Sequence, residues 1–211
     1  MKVRLASITP DAEQLIGYCA RVSSPQNQGK DSARLLRYCV KHGHWSPFEM
    51  AHMVVEIETT RAISAQIIRH RSFSFQEFSQ RYASVQNEPE PPEQRLAGAT
   101  NRQSSIPVDP CGWSPEQMDA ICLAEKAIAD AWKAYKRLES VGIATETARN
   151  VLPLCTQTRL YMAGNIRSWL HYCQLRCTED TQVEHRQIAN EIKTILHDFL
   201  PVVASAVFGS E

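Results

Sequence analysis

Glycine is scarce in this 211-residue chain: only eight occur, and no two stand close enough to form a G-x-G-x-x-G turn or a Walker loop. Neither Rossmann-type dinucleotide binding nor P-loop phosphate binding is therefore indicated. The seven cysteines (19, 39, 111, 122, 155, 173 and 177) include no C-x-x-C pair. That argues against a zinc ribbon and against a disulfide framework, and most of the seven are expected to be buried reduced thiols. A long apolar run is missing too: nothing approaches the roughly 18 residues of a membrane span, and the N-terminus has no h-region. A cytoplasmic protein without a membrane partner is expected. An excess of charge of one sign is also absent, since 23 Lys and Arg balance 23 Asp and Glu. No global field draws the chain onto nucleic acid or lipid, so any anion site must be local.

What remains is 43% hydrophobic and 22% charged residues, a globular composition, and a length that suits one domain, 1–211. The patterning predicts an opening strand through Val3, Leu5 and Ile8, a helix from Pro10-Asp11, and a second helix from near Asp31 that ends at Lys41-His42-Gly43. Phe48 to Ile57 reads as a strand, and Thr60 as the cap of a helix running through Ile63, Ile67 and Ile68. Residues 87–112 form a long Pro-rich connection without apolar periodicity, the kind of segment that serves as a mobile element. Ser114-Pro115-Glu116-Gln117 is a capping box opening a long helix to Gly142. Further helices are expected at 144–150, 165–176 and 182–199, with a short strand at 156–162. The class is α+β, dominated by helix.

The polar chemistry concentrates between positions 61 and 81, where four arginines (61, 69, 71 and 81) face one glutamate (77), a local charge of +3 in a neutral chain. Arginine's planar fork matches phosphate oxygens, so Arg69, Arg71 and Arg81 beside serine hydroxyls suit a phosphorylated ligand. A lone Arg-His-Arg is usually a solvated basic turn. If the segment is helical, Gln66 and Arg69 can share one ligand while His70 and Arg71 serve another. Farther on, Ile166, Trp169, Leu170 and Cys173 make the core stripe of a helix starting at Asn165, and Arg167, His171 and Gln174 share a separate polar face. His42, His44 and His52 lack acidic or cysteine partners at tight spacing, so no metal site is expected. Cys173 and Cys177 read as one buried and one half-exposed thiol rather than a redox pair. No motif indicates a catalytic cysteine.

Arg69-His70-Arg71, seven residues and then Ser79 resemble the signature of the flavin-dependent thymidylate synthases. His44-Trp45-Ser46-Pro47-Phe48-Glu49, Ala148-Arg149-Asn150-Val151-Leu152-Pro153 and Asn165-Ile166-Arg167-Ser168 with Leu175-Arg176 resemble further blocks of that family in the same order. The resemblance implies a helix-dominated single domain with a small, mainly antiparallel sheet, of the thymidylate synthase-complementing-protein type. It also implies conversion of dUMP to dTMP, with 5,10-methylenetetrahydrofolate as one-carbon donor, FAD as hydride carrier and NADPH as its reductant. By the same resemblance, dUMP falls to Gln66, Ile67, Ile68, Arg69, Glu77, Phe78, Ser79, Gln80, Arg81, Arg149 and Arg176, with Arg176 stabilising the uracil anion. FAD falls to Ser46, Arg69, His70, Arg71, Glu77, Asn165, Ile166, Arg167 and His171, and His44 to the flavin and folate entry. His171 is a departure, because many members carry Asn there; His can also hydrogen-bond a flavin edge but can become charged. A homotetramer with shared sites is implied as well. The competing reading is a single-stranded nucleic-acid module, with Arg69 to Arg81 as a basic patch and Phe73, Phe75 and Phe78 as stacking platforms; zero net charge counts against it.

Overall fold

The computed structural model describes residues 1–101 and 104–209. The chain divides into two compact units, one formed by Met1–Ile57, Ile67–Gln76 and Leu160–Glu211, the other by Glu58–Gln66 and Glu77–Arg159.

In the first unit, strands β1 (Lys2–Ile8), β2 (His52–Thr60), β3 (Ser74–Glu77) and β6 (Gln157–Asn165) form a sheet in the order β1-β2-β6-β3. Alternation places Met53, Val55 and Ile57 of β2 and Leu160 and Met162 of β6 in the core, all fully buried. Helices α1 (Ala12–Ala20) and α2 (Ala33–Lys41) follow β1, and α2 stops where Gly43 adopts φ +69°. Helices α6 (Ile166–Arg176), α7 (Val183–Phe199) and α8 (Pro201–Phe208) close the chain, with α7 packed on α6, α8 and β1. The 182–199 reading stops where α7 stops. It misses α8 because Pro201, which cannot continue a helix, sits at the first position of a new one.

Two expectations are corrected. The strand placed at Phe48 begins instead at His52, because Ser46–Glu49 is a 3₁₀ turn with Pro47 in its first positions. The helix expected to run through Ile68 is α3 (Arg61–Ile67), with Ile63 N–H donating to Thr60 Oγ1 at 3.5 Å; Ile68 is 44% exposed and residues 68–73 are turns. The helical sharing of a ligand by Gln66 and Arg69 therefore does not apply. Gly164 is required here: a Cβ on it would meet Phe73 Cδ1 at 2.5 Å, and that ring packs at 4.7 Å from Trp169. The close approach seats the Arg69–Phe73 turn against the core.

In the second unit, α4 (Pro115–Ser140) opens on the predicted capping box, in which Ser114 Oγ accepts from Gln117 N–H and Gln117 Oε1 from Ser114 N–H. Tyr135 of α4 is fully buried with Val85 and Ala148, and its hydroxyl accepts from Val85 N–H at 2.9 Å while donating to Glu139 at 2.7 Å. The helix predicted at 144–150 is α5 (Thr145–Ala148) followed by a 3₁₀ turn at Arg149–Val151. The 87–112 connection is not devoid of regular structure. It carries an antiparallel hairpin of β4 (Arg95–Ala97) and β5 (Ser105–Pro107), with Leu96 opposite Ile106. Three-residue strands are too short for alternation to be visible; Arg102 and Gln103 of this connection lie outside the described residues.

Candidate active site

The N-cap of α6 is Asn165, whose extended backbone lets Oδ1 accept the Ser168 N–H at 2.9 Å. From that start Ile166, Trp169, Leu170 and Cys173 turn inward, with Trp169 Nε1 donating to Met53 O at 3.1 Å. The opposite face presents Arg167, His171 and Gln174, as the spacing predicts. Together with Asn165, Ser168, Ser72, Trp45 and Glu49 they line a cleft of about 540 Å³. The Glu49 carboxylate pairs with the Arg167 guanidinium. Trp45 and Glu49 were not singled out from the sequence, although both lie inside the His44–Glu49 block. Ser46 and His44 are exposed on the same stretch, and the His44 ring lies 5.8 Å from Tyr38.

At the other end of α6, Arg176 Nε donates to His70 Nε2 at 3.0 Å. Arginine has no acceptor, so His70 Nε2 carries no proton and the ring is neutral. Burial first, then the charge of Arg176 and the proximity of His171, push the His70 pKa down to about 4. His70 stands edge-on to Tyr172 at 5.0 Å and 73°. Arg69 and Arg71, its neighbours in the turn, are exposed.

The residues expected at the nucleotide divide between the units. Ile67, Ile68, Arg69 and Arg176 belong to the first; Gln66, Glu77, Phe78, Ser79, Gln80, Arg81 and Arg149 belong to the second. In the second unit, Glu77 Oε1 accepts from Ser64 Oγ at 2.6 Å and Thr158 Oγ1 at 3.0 Å, and pairs with Arg61 at 2.5 Å. Glu77 thus anchors β3, α3 and β6 locally, with no sequence signal linking these partners. Arg81 lies 3.5 Å from the Glu146 carboxylate, and Arg149 Nε donates to Glu146 O at 3.3 Å, so Glu146 brings the two arginines together. Ser79 Oγ accepts from Arg81 N–H at 3.4 Å. Gln80 is 8% exposed, and its Nε2 is buried without a hydrogen-bond partner. In sequence this orphaned amide stands between Ser79 and Arg81, and a buried donor without a partner is one that a hydrogen-bonding ligand would satisfy. Phe73 is buried and Phe75 and Phe78 are half-buried. The aromatics of this stretch therefore serve packing and do not form a stacking platform, which corrects the nucleic-acid reading. Among the described residues, no group of three His, Cys, Asp or Glu is placed to hold a metal ion, and no helix is long and apolar enough to cross a membrane.

Arg176, tethered to His70, and the polar cleft along α6 belong to the first unit, and the Arg81–Arg149 pair to the second. Residues 4–202 match the sequence model of the thymidylate synthase complementing protein family, and the chain belongs to that family. It is 44% identical over 220 residues to a probable flavin-dependent thymidylate synthase of Paramecium bursaria Chlorella virus 1, covering 98% of this chain and 99% of that protein. It is 47% identical over 199 residues to the flavin-dependent thymidylate synthase of Synechocystis sp., covering 92% and 89%. Among solved structures it resembles a UMP/dUMP methylase, PolB from Streptomyces cacaoi bound with 5-Br dUMP. That likeness has a TM-score of 0.80 and 26% identity, covering 97% of this chain and 93% of that one.

Proposed function

We propose that the protein is a flavin-dependent thymidylate synthase that methylates dUMP reductively to dTMP. Family membership, the names of its relatives and the dUMP-analogue complex of its structural neighbour support this reading. The single observation that carries it within the chain is the convergence of three distant segments, at 45–49, 72 and 165–174, on one polar cleft. The cleft volume lies in the ordinary range for cofactor sites, about 300–1,000 Å³, and its mixture of an indole, hydroxyl, amide, imidazole and guanidinium groups suits a flavin ring and its polar edge.

The cofactor is FAD, held by Ser46, Arg69, His70, Arg71, Glu77, Asn165, Ile166, Arg167 and His171, with His44 at the flavin and folate entry. When bound and reduced, FAD supplies the hydride. Gln66, Ile67, Ile68, Arg69, Glu77, Phe78, Ser79, Gln80, Arg81, Arg149 and Arg176 hold dUMP, with Arg81, Arg149 and Ser79 on its phosphate. Arg176 places its charge at the uracil as the N3 proton leaves, a preorganised stabilisation worth most where water is excluded. Because Nε is spent on His70, the terminal nitrogens remain for that task. NADPH and 5,10-methylenetetrahydrofolate are co-substrates, residues 1–211 form one catalytic domain, and the protein works in the cytoplasm as a homotetramer with shared sites. The apolar side chains that α4 leaves exposed, Met118 and Leu123, support self-association.

The test is direct. Purified protein should be yellow with a flavin spectrum and should form dTMP from dUMP, NADPH and 5,10-methylenetetrahydrofolate. A colourless protein that takes up no FAD, or a flavoprotein that yields no dTMP, overturns the reading. Ordering of residues 87–112 by dUMP belongs to the same proposal: hydrogen exchange there should slow when dUMP is added to the FAD-loaded enzyme.

A further inference from the structure

Behind His70 lies a polar pair with no role in the reading above. Tyr172 on α6 and His185 on α7 are both fully buried, and the Tyr172 hydroxyl meets His185 Nε2 at 3.1 Å. A Phe and a Leu would fill comparable space without the desolvation that a buried hydroxyl and imidazole incur. The pair also surrounds one side chain. The His70 ring stands 5.0 Å from Tyr172, 6.2 Å from His185 and 6.4 Å from Phe73, crossing each nearly at right angles. His70 in turn receives the Nε–H of Arg176.

We propose that the Tyr172–His185 pair is a positioning device for Arg176 that acts through His70, fixing the imidazole so that Nε2 faces the arginine. The proposal rests on the assignment of Arg176 to the developing uracil anion and deepens it. With the imidazole locked, its proton sits on Nδ1 and Nε2 is a permanent acceptor. Arg176 then spends one of its five N–H donors on that anchor and keeps the two-pronged Nη fork aimed away from it. A rotated or charged His70 would present a donor to Arg176 and release it. The charged and titratable groups around this centre are Arg176 and His171 on α6, His70 itself and His185 on α7, with Lys193 of α7 farther along beside Cys173 and Cys177. Burial and the charge of Arg176 keep His185 neutral as they do His70. Neither imidazole therefore competes with the guanidinium for the substrate's negative charge.

The experiment uses the FAD-loaded enzyme and the double variant Tyr172→Phe, His185→Leu, with Tyr172→Phe alone as the milder change should the double variant not fold. Arg176→Ala is measured in parallel. Histidine ¹⁵N spectra of the wild type should show His70 as a single neutral tautomer protonated on Nδ1, and the variant should show both tautomers. With this, kcat should fall about ten- to hundredfold while KM for dUMP stays within about twofold, because the lost placement matters in the transition state. His185→Gln, which still offers Tyr172 a partner, should recover most of the rate. An unchanged His70 tautomer, or a variant that turns over normally while Arg176→Ala is inactive, overturns the proposal. Full activity in Arg176→Ala would instead overturn the role of Arg176 in chemistry, and the tautomer would still decide whether the pair orients His70.

Discussion

Helices α6 and α4 begin in the same way and end up in opposite circumstances. Each is opened by an N-cap side chain, Asn165 onto Ser168 N–H and Ser114 onto Gln117 N–H. The 11 residues of α6 include six buried ones, whereas of the 26 residues of α4 only Tyr135 is buried, and Met118 and Leu123 are 41% and 69% exposed. Caps and periodicity decide that a helix forms and which stripe is apolar. What covers the stripe is a matter of tertiary and quaternary structure. In α6 the sheet and α7 cover one face and leave the other to line a cleft; α4 leaves Met118 and Leu123 exposed, the surface on which the proposed self-association would draw.

The sharpest way to break this contrast is to truncate at equivalent depth. Trp169→Ala removes the largest fully buried side chain together with its hydrogen bond to Met53 O. It should cost about 3–5 kcal/mol in denaturant unfolding, while Leu123→Ala should stay within about 0.5 kcal/mol. A loss below about 1 kcal/mol at Trp169 would show that α6 is not a core anchor. The functional end of α6 behaves differently. Arg176→Ala should lower kcat by about 10²–10³ through loss of one preorganised charge, with FAD content and unfolding midpoint nearly unchanged; undiminished turnover removes Arg176 from the mechanism.

Acid should find α6 and α7 before α4. His70 and His185 are each pushed down to about 4 by burial and by Arg176. A folded pKa below the unfolded value of about 6.5 means that the unfolded chain takes up the protons first. Their contribution is therefore complete above pH 6.5 and is lost as pH falls toward 4. Between pH 7 and 5.5 the loss should be on the order of 2 kcal/mol for the two together. Flat stability over that window would mean that neither ring is held neutral. The exposed side of α4 calls for a different measurement: Leu123→Asp should shift the protein to smaller species by light scattering, and an unchanged mass would free that face from self-association.

Much of this contrast was legible in the sequence, because caps and stripes are local. Ser114, Pro115 and Gln117 announced α4, and the spacing of Ile166, Trp169, Leu170 and Cys173 announced the buried face of α6 and, by elimination, the Arg167–His171–Gln174 face. The pieces that escaped are those made by distance along the chain. Glu77 meets Thr158 across 81 positions, Arg176 meets His70 across 106, and no pattern of residue types forecasts either. The 3₁₀ turn at Ser46–Glu49 escaped for the opposite reason: Phe48 is buried as a strand residue would be, but Pro47 favours a turn. Tyr172 and His185 read as ordinary helix residues until the fold brings them within 3.1 Å of each other.

The smallest effects separate the two caps. Ser114→Ala and Asn165→Ala should each cost about 1 kcal/mol, the usual loss when an N-cap oxygen is removed, or roughly 2–4 °C in Tm for a chain of this size. Ser114 stands at the start of α4, outside the cleft, so its loss should leave FAD content untouched. Asn165 is both cap and cleft wall, so Asn165→Ala should lose stability and flavin together. Asn165→Asp divides the two roles. The carboxylate still accepts the Ser168 N–H and suits the positive end of the helix dipole, so stability should return to within a few tenths of a kcal/mol. It also loses the amide N–H donors and adds a negative charge to the cleft that Glu49 already lines, so flavin should be retained less well than in the wild type. Full flavin retention in Asn165→Asp would assign Asn165 to the helix alone and move the cofactor's polar contacts to Arg167 and His171.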